Sequence, residues 1–79
     1  MLSDTKVTPR IEKNVIHAFQ RLHSHGVCHG DVRGANVLVR KNESVVLIDF
    51  ESVLNVNRMM LLKEENEIRR MLRFTKSKT

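Results

Sequence analysis

Residues 29–39 read HGDVRGANVLV and, after the polar run KNES at 41–44, residues 45–50 read VVLIDF. A histidine, two charged side chains and an asparagine thus stand in front of a β-forming run, and an aspartate closes a second one. Short β-branched and aliphatic runs on either side of a polar turn predict a two-stranded hairpin over 36–50. With the turn centred between Asn42 and Glu43, Lys41 faces Ser44, Val39 faces Val46 and Asn36 faces Asp49. The last pair would share one face, with Cβ atoms about 5 Å apart.

A carboxylate beside an amide carbonyl offers hard oxygen ligands. Such a pair suits magnesium, which keeps several waters and also takes phosphate oxygens. The same two residues could instead bond to local backbone at the start and end of a strand. Asp31 lies five residues before Asn36, in a loop with Gly30 and Gly34. Its carboxylate could take the proton of an attacking hydroxyl, and Arg33 could offset the charge of a phosphoryl group in transfer. Base, metal pair and cation are the parts that phosphoryl transfer needs.

The flanks read as helices. Over 8–25, Thr8 can cap, Pro9 suits the first helical position, Ile11, Val15, Phe19 and Leu22 form one stripe, and Gly26 supplies the stop. Over 57–73, Leu61, Ile68, Met71 and Leu72 can share a face, which Glu64 and Glu65 partly interrupt. Met59, Met60 and Met71 read as packing residues and Cys28 as a small buried hydrophobe. Residues 74–79 form a basic tail that should fray. Helix, loop, hairpin, helix makes an α+β chain.

The net charge of +5 resides wholly in residues 69–79, because residues 1–68 hold nine basic and nine acidic side chains. With three Phe and no Tyr or Trp, no aromatics are interleaved with that charge to stack on bases, which argues against a nucleic-acid partner. No apolar run approaches the ~20 residues that span a bilayer, so no membrane partner is expected. The single cysteine suits a reducing compartment, the cytoplasm. His23, His25, Cys28 and His29 are zinc-type ligands, but a helix turns residues 23 and 25 about 200° apart, and an extended segment alternates 28 with 29.

The stretch LHSHGVCHGDVRGANVLV followed by VVLIDFE resembles the catalytic loop and metal-binding segment of the protein-kinase-like superfamily. It matches in the His-x-Asp-x4-Asn pattern, the LHSHG lead-in and the downstream Asp-Phe. The resemblance implies residues 29–36 as the catalytic loop, with Asp31 the catalytic aspartate, Asn36 and Asp49 the magnesium ligands, and Arg33 in the place of a phosphate-contacting lysine. It also implies that His29 braces the loop and that Phe50 packs beneath it. ATP and magnesium are the implied cofactors, and an undefined phosphate acceptor is the implied substrate.

Gly30 replaces the arginine of His-Arg-Asp, a variant similar to aminoglycoside and choline phosphotransferases. Glu51 replaces the glycine of Asp-Phe-Gly, and IDFE before a charged helix resembles kinase-like proteins of fungi. A Gly-rich loop, a Val-Ala-Ile-Lys strand and an Ala-Pro-Glu segment do not occur in the sequence. The expectation is therefore a partial C-terminal lobe without its nucleotide lobe, weak or inactive alone, with that lobe or another chain as partner. The alternative is a non-catalytic, pseudokinase-like interaction module or truncated remnant.

Overall fold

In the computed structural model, which describes residues 1–51 and 55–77, the first helix, α1, spans Pro9–Ser24. The Thr8 hydroxyl accepts the Ile11 amide at 3.1 Å, satisfying one of the donors left open at a helix start. Ile11, Val15 and Phe19 are buried along one stripe. At the other end Gly26 takes φ +73° and its amide reaches the His23 carbonyl at 2.9 Å. That left-handed stop is open to glycine at little cost.

The hairpin pairs β1 (Val37–Val39) with antiparallel β2 (Val45–Leu47). Its register differs by one residue from the one expected. Val37 faces Leu47, Leu38 faces Val46 and Val39 faces Val45, and the Ile48 amide reaches the Asn36 carbonyl at 2.9 Å. Asn36 is therefore opposite Ile48 and not Asp49.

The cause is the loop. The Arg40 amide, in place of Lys41, pairs with the Ser44 carbonyl at 2.9 Å and the Glu43 amide returns to the Arg40 carbonyl at 2.9 Å, while Glu43 itself sits at φ +67°. A tight turn followed by a left-handed residue makes a three-residue loop over 41–43, where the expected turn had two. α1 holds Glu43 in that conformation. Asn14 Nδ2 donates to the Glu43 carbonyl at 2.9 Å, and the Thr8 hydroxyl donates to its carboxylate at 2.7 Å.

The second helix, α2, spans Arg58–Ser77. Asn57 caps it, its Oδ1 accepting the Met60 amide at 2.9 Å. The helix runs past the expected end at 73, so the expected frayed tail is helical as far as Ser77. Thr75 is buried, and its hydroxyl donates to the Met71 carbonyl at 2.8 Å. Lys78 and Thr79 of that tail lie outside the described residues. Met59 is 79% exposed and does not pack, because the helix turns it away from the core.

Ile11, Val15 and Phe19 of α1 meet Val37 of β1 and Ile68, Met71 and Leu72 of α2 in one apolar cluster. Leu2, on a single 3-10 turn at Leu2–Asp4, completes it and is fully buried. Two helices on a two-stranded antiparallel sheet give the α+β chain expected. Among the described residues no helix is long and apolar enough to cross a membrane.

Candidate active site

His29 is fully buried and uses its ring and its backbone in four directions. Its Nδ1 accepts the Asp31 amide at 3.1 Å, so the ring proton belongs on Nε2, which meets the Ile48 carbonyl at 2.7 Å. The His29 carbonyl accepts the Glu51 amide at 2.9 Å. One residue thus ties the loop at Asp31 to both sides of the Asp49–Phe50 dipeptide. The Phe50 ring lies 4.8 Å from the His29 ring, centroid to centroid, yet Phe50 is 45% exposed and only partly packed.

Asp31, Arg33 and Asn36 meet. Asn36 Nδ2 donates to both the Asp31 carbonyl at 2.9 Å and its Oδ2 at 3.1 Å, leaving the amide oxygen outside these bonds. Arg33 Nε donates to Asp31 Oδ1 at 3.1 Å. The Arg33 guanidinium holds the Asp31 carboxyl below its ordinary 3.8, against a partial loss of hydration and with help from the Asn36 amide. Asp31 is therefore an acceptor at neutral pH. Asn36 is buried on a 3-10 turn, Gly34–Asn36, immediately before β1.

Asp49 adopts φ +55°, a left-handed conformation that costs most residues about 1–2 kcal/mol and aspartate less. The bonds from His29 to residues 48 and 51 hold it there. Because Asp49 has left the strand conformation, the pleat does not set its side-chain direction. The cross-strand alignment with Asn36 expected from the hairpin is replaced by this turn. Asp49 is exposed, and its carboxylate makes no side-chain hydrogen bond or ion pair among the described residues.

Glu64 of α2 is the residue of this site that sequence patterning missed. It interrupts the apolar stripe, yet it is only 4% exposed. Its Oε1 accepts His23 Nε2 at 2.8 Å and the His29 amide at 2.8 Å, and its Oε2 accepts the Gly30 amide at 3.1 Å. Burial opposes its ionisation, but the bonds from His23 and the two loop amides outweigh that and hold the carboxyl below its ordinary 4.5. Gly30, at φ +94°, turns its amide toward this clamp in a conformation that side chains disfavour. A charged residue on an otherwise apolar stripe was the available signal, but its partners lie 34 to 41 residues away.

The loop, brace and clamp agree with the match of residues 2–79 to a family model described as the lipopolysaccharide kinase (Kdo/WaaP) family. The chain belongs to the Kdo/WaaP family. Two kinases are also similar to it. Misshapen-like kinase 1 of Rattus norvegicus is 40% identical over 38 residues, 48% of this chain and 3% of that protein. Nik-related protein kinase of Homo sapiens is 37% identical over 46 residues, 58% of this chain and 3% of that protein.

The Kdo/WaaP chain thus spans 3% of the length of these curated relatives, and no solved structure matches it. Membership places it in the protein-kinase-like superfamily, a class whose kinases use ATP and a divalent metal.

Proposed function

We propose that this Kdo/WaaP chain is the catalytic-loop segment of a kinase that transfers the γ-phosphoryl group of ATP to a hydroxyl. The observation that carries the reading is the Asp31–Asn36 unit seated on His29, in which a carboxylate kept ionised is held by the Asn36 amide while the buried His29 imidazole holds the Asp31 backbone N–H. Asp31 receives the hydroxyl proton as the new O–P bond forms and the bond from the γ-phosphorus to its bridging oxygen breaks, releasing ADP. Arg33, exposed on the same loop, turns from Asp31 to the phosphoryl oxygens.

Asn36, through its amide oxygen, and Asp49, through its carboxylate, are the residues that would hold magnesium. The donor set fits, since both offer hard oxygens and neither oxygen is committed to another partner among the described residues. When bound, magnesium neutralises phosphate charge. Because the sequence contains no Gly-rich phosphate loop and no Val-Ala-Ile-Lys strand, adenine and phosphate contacts are assigned to a nucleotide lobe or partner outside this segment. The 79 residues alone are then weakly active at best.

The family description names a lipopolysaccharide kinase, so a sugar hydroxyl is the first acceptor class to try. A protein hydroxyl is the second, given the matched protein kinase. The buried free thiol of Cys28 suits the cytoplasm. The test is labelled-phosphate transfer by the full-length protein with magnesium and ATP. Asp31→Asn should lower the rate by about 10²–10⁴, and Asn36→Ala should abolish magnesium-dependent thermal stabilisation by ATP. Transfer unaffected by Asp31→Asn would overturn the assignment.

A further inference from the structure

The fold sorts the soft-ligand cluster HSHGVCH in a way that its spacing did not suggest. His29 commits both ring nitrogens, to Asp31 and Ile48, and His25 is exposed at the end of α1. His23 and Cys28 instead converge with Glu64 of α2. A ring nitrogen, the sulfur and a carboxylate oxygen all lie within 4.8 Å of one another. The His23 and Glu64 side chains are 10% and 5% exposed, and Cys28 is 3% exposed.

We propose that His23, Cys28 and Glu64 form a binding site for zinc, and that its occupancy competes with the clamp Glu64 places on the catalytic loop. Imidazole, thiolate and carboxylate are the three ligand types zinc takes, and they leave a fourth position for water. One thiolate and one carboxylate neutralise the divalent charge, so the buried site carries no net charge. Binding releases the Cys28 thiol proton to solvent, and the His23 ring, which donates from Nε2 to Glu64 in the metal-free protein, ligates through Nε2 with its N–H moved to Nδ1. Access is from the surface, where His23 borders a cavity of about 180 Å³ with Phe19, Gln20 and Ile68.

The competition follows from the distances. His23 Nε2 and Glu64 Oε1 are 2.8 Å apart, whereas two ligands bonded to zinc at about 2.0–2.1 Å in a tetrahedron stand about 3.3 Å apart. Opening that gap moves the carboxylate whose oxygens also hold the His29 and Gly30 amides. Magnesium, which avoids thiolate, does not compete here. The site does not depend on the phosphotransfer reading.

The test titrates the purified full chain with cobalt as a zinc surrogate and then with zinc. The expected results are a thiolate-to-cobalt charge-transfer absorption that saturates at one equivalent and survives excess magnesium, and faster hydrogen exchange at the His29 and Gly30 amides when zinc is bound. His23→Gln and Cys28→Ser should each weaken zinc by about tenfold or more, and His25→Gln should leave it unchanged. Absence of the charge-transfer band in the unsubstituted chain, which needs no variant to fold, overturns the site. Dependence on His25 equal to that on His23 does the same. Zinc binding that leaves exchange at His29 and Gly30 unaltered overturns the competition.

Discussion

Replacing Glu64 probes the joint between α2 and the loop at residues 29–36. Its carboxylate accepts three donors, at 2.8, 2.8 and 3.1 Å, with almost no exposure to water. Alanine leaves all three donors without their acceptor, at about 1–3 kcal/mol each where they are buried. Total stability for a chain of 79 residues is about 4–12 kcal/mol, so Glu64→Ala should lose a large share of its stability. Glutamine keeps one carbonyl oxygen for His23 and His29 but turns an NH₂ toward the Gly30 amide. That leaves the Gly30 amide and the new NH₂ facing each other as unmet donors, at about 1–3 kcal/mol or more.

Urea unfolding measures the difference. With a slope of about 1 kcal/mol/M for so small a chain, the Glu64→Gln midpoint should fall by about 1 M or more. The pH dependence supplies a second reading. The folded carboxyl titrates below its ordinary 4.5, so its contribution is complete above that value and is lost as pH falls through the folded pKa. The acid limb of the wild-type stability curve should therefore shrink in Glu64→Gln. A loss under about 0.5 kcal/mol for both variants, with hydrogen exchange at His29 and Gly30 unchanged, would refute the clamp.

Other expectations are simpler to check. Cysteines at Leu38 and Val46, which face each other, should form a disulfide on mild oxidation, whereas a Val39–Val46 pair should not; the reverse outcome would restore the two-residue turn. Gly26→Ala should cost about 1–2 kcal/mol in chemical denaturation, all of it backbone strain, because an added Cβ at Gly26 meets nothing within 4 Å. Phe19→Ala, which empties a fully buried position between His23 and His29, should destabilise by about 3–5 kcal/mol in the same measurement. In Arg33→Ala, carbon-detected titration should show the Asp31 pKa rising toward 3.8 as its main ion-pair partner is lost.

The sequence by itself determined the parts whose causes are local. Thr8, Pro9 and Gly26 bound α1 within one turn of where they act, the stripe of Ile11, Val15 and Phe19 fixed its buried face, and the spacing from His29 through Asn36 to Asp49 pointed to the protein-kinase-like superfamily. Tertiary structure decided the rest. The hairpin slipped by one residue because Thr8 and Asn14, 35 and 29 positions away, hold Glu43 in a left-handed conformation. Glu64 looked like a break in an apolar stripe, because the imidazole and amides that make its burial favourable come from α1 and the loop. Backbone propensity and side-chain period act over a few residues, whereas register and the burial of a charge depend on donors and acceptors that meet only after the chain has closed on itself.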